Sequence, residues 1–103
     1  MSSPHEEEDD DVLMRLAEED IKISQELENV HEDYGKTLEI LQRRFSLFDK
    51  YQQQSLDPIV TEIILTQKQL IRLEMGLLNT RHELQTDIAN LTSRIDNLES
   101  KRT

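Results

Sequence analysis

Six positions spaced seven apart, Ile63, Leu70, Leu77, Leu84, Leu91 and Leu98, are all aliphatic. Seven residues fall slightly short of two α-helical turns, so such a row stays on one face only where the helix supercoils around a partner. The row predicts a long helix that packs along other helices. Near its start the stripe is wide, with Val60, Ile63, Ile64, Leu70, Ile71, Leu77 and Leu78, as in a multi-helix bundle. From Leu84 it narrows to Leu84, Ile88, Leu91, Ile95 and Leu98. With Leu at d, Ile88 and Ile95 fall at a, the combination that favours parallel two-stranded coiled coils.

An earlier stretch carries two further rows. One is Leu13, Asp20, Leu27, Tyr34, Leu41, Phe48; the other is Leu16, Ile23, Val30, Thr37, Arg44, Tyr51. Nine of these twelve positions are apolar or Tyr, which predicts a packed helix over residues 12–54. Leu38 and Phe45 widen its late part, so that part is expected to face more than one neighbour. Pro58 cannot continue a straight helix, and it pushes Asp57 out of the α region. Asp57 suits an N-cap and Pro58 a first helical position, so a second helix is expected over residues 58–100 after a break at 55–57. Each helix then runs for about 43 residues, or about 65 Å. The equal lengths fit a hairpin, and equally a broken rod whose halves pack on partner chains. The fold class expected is all-α: two long helices broken near Leu56–Pro58, forming an elongated coiled-coil or helical-bundle subunit. Gly35 and Gly76 fall within the two helices; Gly35 is either a tolerated surface glycine or the mark of a close crossing or a bend, and Gly76 is either neutral or the mark of close packing.

The residues expected to bind partners are Leu27, Val30, Tyr34, Leu41 and Phe48 on the first helix. On the second they are Ile63, Leu70, Leu77, Leu84, Ile88, Leu91, Ile95 and Leu98. Before them, Glu6 to Asp11 are six consecutive acids. They repel one another and have nothing apolar to bury, so residues 1–11 are expected to form a disordered acidic tail. Ser2 and Ser3 lie just upstream of these acids, as acid-directed kinases prefer.

Composition sharpens the picture. Of 103 residues only 35% are hydrophobic and 33% are charged, with two Gly, two Pro and no Trp. A compact globule needs more apolar bulk and more turns, whereas long helices buried against partners do not. Without Cys there is no disulfide framework and no thiol nucleophile. The acidic start and the short apolar runs argue against a signal peptide or a membrane span. Asn90-Leu91-Thr92 matches the glycosylation pattern, but Leu91 sits in the seam, and the match is read as chance.

The net charge of −10 is uneven: residues 1–51 hold 15 acids and 6 bases, residues 52–103 hold 7 and 6. This balance argues against nucleic acid and anionic lipid as main partners. His5, His31 and His82 show no metal-ligand spacing, the two glycines make no phosphate loop, and no nucleophile–base set is present. No cofactor, no small-molecule substrate and no catalysis are expected. A basic zipper fails as well, because Asp57 to Met75 contains only Lys68 and Arg72 where a basic region is required.

The stretch with Phe45 and Phe48, the break at Leu56-Asp57, the segment Gln67–Met75 (QKQLIRLEM), His82-Glu83 and a closing leucine-rich helix that ends in Leu98–Arg102 form one layout over roughly residues 24–102. This layout resembles the pallidin family, small helical subunits of the complex that builds lysosome-related organelles. The C-terminus is less basic than in that family. The resemblance implies a non-catalytic subunit of a rod-like hetero-oligomer in endosome-to-organelle cargo sorting, cytoplasmic and peripheral to endosomal membranes. A spindle or kinetochore subunit is the alternative and leaves a nuclear setting open, since those complexes also use short acidic two-helix chains. A prefoldin-like chaperone ranks below both, because Tyr51–Pro58 is too short to supply its hairpins.

Stoichiometry has a charge argument. The second helix's a row reads Val60, Gln67, Glu74, Arg81, Ile88, Ile95. In a parallel in-register homodimer Glu74 would face Glu74 and Arg81 would face Arg81. A hetero-oligomer holding one copy of the chain is therefore expected.

Overall fold

Asp57 and Pro58 start the long helix in the way their chemistry predicts. The Asp57 carboxylate accepts from the Ile59 N–H at 2.8 Å, and its carbonyl accepts from the Thr61 N–H at 2.9 Å. Pro58 takes the first helical position, where a missing N–H removes no helical bond. The computed structural model describes residues 4–30 and 32–102. They form α1 (Pro4–Val30), α2 (Tyr34–Gln54) and α3 (Pro58–Arg102), and no strand occurs among the described residues. The all-α expectation holds, with three helices in place of two.

The predicted first helix is divided. Asp33 is extended, and its side chain accepts from the Lys36 N–H at 3.0 Å, capping α2. The Val30 carbonyl at the end of α1 accepts from the Asp33 N–H at 2.9 Å and from the Thr37 hydroxyl at 2.8 Å. Gly35 thus lies in the first turn of α2. A Cβ there would meet only Asp33 Oδ1 at 3.7 Å, so no close crossing requires the glycine.

The expected disordered tail is also revised. Residues 1–3, with Ser2 and Ser3, lie outside the described residues. From Pro4 onward the backbone is helical. Pro suits a helix start, and acids suit the positive end of the helix dipole. Asp9 is buried, and its two carboxylate oxygens accept from the backbone N–H groups of Leu56 at 3.0 Å and Asp57 at 2.7 Å. One acid of the run therefore clasps the α2–α3 turn.

α1 packs on α2, and α2 packs on the first half of α3, so α2 lies between two neighbours. The core joins Val12 and Leu16 of α1, Phe48 and Tyr51 of α2, and Val60, Ile64 and Ile71 of α3. Polar staples border it. Arg44 makes a two-pronged pair with Asp20 of α1, at 2.6 and 3.2 Å, and lies 3.7 Å from Glu74 of α3. The hydrogen bond to Asp20 holds its guanidinium pKa above the ordinary value. Lys68 of α3 reaches Asp49 at 2.7 Å and Gln52 at 2.9 Å, and lies with Arg72 over the Phe45 ring. Burial, and the neighbouring Glu19 carboxylate, push the Tyr51 phenol above its usual range.

The molecule measures 82 × 23 × 15 Å, with a radius of gyration of 20.7 Å. A compact chain of this length would have about 13 Å. The cause is a mismatch of helix lengths. α3 has 45 residues and α2 has 21, so α3 runs on for about 36 Å past its neighbour.

Candidate interaction surface

Helical geometry sorts the wide stripe at the start of α3 into two faces. At about 100° per residue, Val60, Ile64, Ile71 and Leu78 cluster on one side. Ile63, Leu70 and Leu77 lie about 100° round the helix from Ile64 and Ile71. The first group faces α2: Val60, Ile64 and Ile71 are buried, with Ile64 at 0% and Ile71 at 1% exposure, and Leu78 is half-buried. The second group faces away from the chain's own helices.

That outer face is longer than the heptad row alone. It comprises Ile59, Ile63, Thr66, Leu70, Leu73, Leu77, Thr80, Leu84, Ile88, Leu91, Ile95 and Leu98. Its ten aliphatic members are all between 46% and 71% exposed. The two threonines fit an apolar seam because their hydroxyls are already used. Thr66 donates to the Glu62 carbonyl at 2.9 Å and Thr80 to the Gly76 carbonyl at 3.0 Å, so neither brings an unsatisfied polar group. Gly76 borders this face in the open, with nothing within 4 Å of an added Cβ. From Thr80 to Arg102 every residue of α3 is exposed. There the helix carries only the outer stripe.

The residues expected to bind partners fall into separate places. Leu41 and Phe48 are buried, and the chain's own packing uses them. Leu27, Val30 and Tyr34 are half-buried. Tyr34 is held by α3: its hydroxyl donates to Asn79 Oδ1 at 2.6 Å, and its ring stacks on His82 at 3.8 Å between centroids. His82 thus closes the open end of the α2–α3 hairpin. Ile63, Leu70, Leu77, Leu84, Ile88, Leu91, Ile95 and Leu98 form the outer face together. The expected set omits Ile59 and Leu73. The spacing signal for them is the alternation of four and three through 59, 63, 66, 70, 73 and 77, which a search for one seven-residue row passes over.

The row behind the charge argument is also placed. Val60 belongs to the core, and Glu74 lies beside Arg44 on the α2 side. Up to Leu84, the companions of the aliphatic row on the outer face are Ile59, Thr66, Leu73 and Thr80, not Val60, Gln67, Glu74 and Arg81. The objection to in-register pairing of two copies loses its premise.

Among the described residues, no helix is long and apolar enough to cross a membrane. No protein-family model matches the chain, and no curated protein and no solved structure matches it.

Proposed function

We propose that this chain is a non-catalytic helical subunit of a rod-like hetero-oligomer, and that it docks partner helices along the outer face of α3. The observation that supports this reading is the stripe of ten half-exposed or more exposed aliphatic residues from Ile59 to Leu98. An isolated soluble chain rarely leaves so long an apolar strip open, and such strips mark association surfaces. The hairpin supplies a rigid base, and the projecting half of α3 supplies reach. The resemblance to the pallidin family supports endosome-to-organelle cargo sorting as the setting, with the chain cytoplasmic and its partners other small helical subunits.

Affinity purification from the chain's own cells, with chemical cross-linking and mass spectrometry, tests the reading. Small helical subunits of an organelle-sorting complex should co-purify, and their cross-links should border the outer face of α3. Recovery of spindle or kinetochore subunits instead would refute the setting. Cross-links confined to α1, with no partner along α3, would refute the docking surface.

A further inference from the structure

The outer seam of α3 contains one irregularity, and it constrains what can lie against it. Successive seam positions from Ile59 to Leu98 are separated by four and three residues in alternation, except at Thr80, Leu84 and Ile88, where two fours meet. Such a stutter locally unwinds a coiled coil, and knobs-into-holes packing then needs a partner that unwinds at the same level. A parallel copy in register meets this condition along the whole seam, because its own stutter lies at the same height.

The chemistry of the seam agrees. None of its twelve positions is charged, so two copies bring no like charges face to face in the centre. Below the stutter Ile88 and Ile95 take a, while Leu84, Leu91 and Leu98 take d, the assignment favoured by parallel pairs. At the rim, position g of one chain meets position e of the next heptad on the other. Arg94 then faces Glu99 of the second copy, twice by symmetry. Outside the stutter the remaining g–e pairings (62 with 67, 69 with 74, 76 with 81, 87 with 92) set no two like charges together. α3 is itself balanced, with six acids and six bases between Pro58 and Arg102. α2 packs on the Ile64 and Ile71 side of α3, about 100° or more round the helix from the seam positions, which it leaves exposed.

We infer that the outer seam of α3 binds a second copy of this chain as a parallel, in-register coiled coil from Ile59 to Leu98, so that the assembly contains the chain as a pair. The inference rests on reading the outer face as the docking surface; it makes the helix docked in the seam a second copy, replaces the expectation of one copy, and leaves the other subunits to pack along the borders of the pair.

The test uses the full chain, purified alone. Sedimentation or light scattering over a dilution series should give 24.4 kDa, twice the 12.2 kDa of one chain. The chain has no cysteine, so single replacements report orientation without background. Leu98→Cys, at a d position, should oxidise to a covalent dimer, and Ser93→Cys, on the opposite side of the coil, should not. A monomer throughout the dilution series overturns the inference. A covalent dimer from Leu84→Cys but none from Leu98→Cys overturns the parallel register. A monomer that still captures other helical subunits along α3 defeats this inference alone; a seam that binds neither copy nor partner defeats the docking reading with it.

Discussion

Two substitutions of the same kind, Ile71→Asp and Leu91→Asp, separate the two faces of α3. Ile71 is 1% exposed and lies in the core shared by all three helices. Removing a buried Ile costs about 2–5 kcal/mol, and an unpaired buried carboxylate adds several more. The sum is comparable with the whole stability of a small domain, about 5–15 kcal/mol, so the hairpin should melt. Leu91 is 54% exposed and lies past the end of α2. Within one chain its replacement should cost no more than the difference in helix propensity, about 0.5 kcal/mol. In the docked state the rest of Leu91 is covered. Full burial of Leu is worth about 1.5–3 kcal/mol, so the half still open contributes about 1 kcal/mol, and a carboxylate trapped in the seam adds several. A loss of about 4 kcal/mol weakens association roughly a thousandfold. Circular dichroism melts, read at a concentration where the chain is dissociated, should show Ile71→Asp unfolded and Leu91→Asp close to the parent. Co-purification should show Leu91→Asp stripped of partners. If Leu91→Asp melts like Ile71→Asp, or retains its partners, the division of α3 into an inner and an outer face is wrong.

Three further outcomes are expected. Asp9→Ala removes the acceptor for the Leu56 and Asp57 N–H groups; part of the loss is recovered by water, so thermal melts should show about 1–2 kcal/mol, while seam-dependent association is unchanged. Tyr51 has a phenol pKa raised by burial, so its stabilisation is full below the unfolded value of about 10 and declines as pH rises above it; melts at alkaline pH should show this decline, and Tyr51→Phe should remove the tyrosine-dependent part. Gly76→Ala meets no neighbouring atom and should raise the stability of the unassociated chain by up to about 1 kcal/mol; a melting temperature that falls instead would reveal crowding at that site.

The long helix and its start were legible because local chemistry determines them. Asp57 and Pro58 admit few alternatives, and an unbroken aliphatic row over 35 residues has no compact explanation. The turn at Glu32 and Asp33 was hidden by two rows that cross it in phase. Leu27 to Tyr34 and Val30 to Thr37 keep the seven-residue spacing, and no proline interrupts them. Only Asp33 followed by Gly35 and Lys36 marks the place, a weak signal beside twelve periodic positions. The acid run misled for a related reason. Composition counts six acids as mutual repulsion, but one of them, Asp9, finds two backbone donors supplied by residues 47 and 48 positions away. No local pattern contains that contact.

The assignment of faces on α3 shows where periodicity stops being informative. Ile63 and Ile64 are adjacent in sequence and about 100° apart on the helix, so a stripe containing both is wide enough to serve two neighbours. The sequence holds both stripes, but it does not label which one the chain keeps for itself. That label comes from α2, whose Phe48 and Tyr51 join Ile64 and Ile71 in one core while Lys68 ties the adjoining edge to Asp49. Once α2 occupies that side, Glu74 sits beside Arg44 and leaves the seam. The same residues then no longer oppose the pairing of two copies. A charge that would oppose self-pairing from an a position is neutral to it from the rim, where the structure puts it.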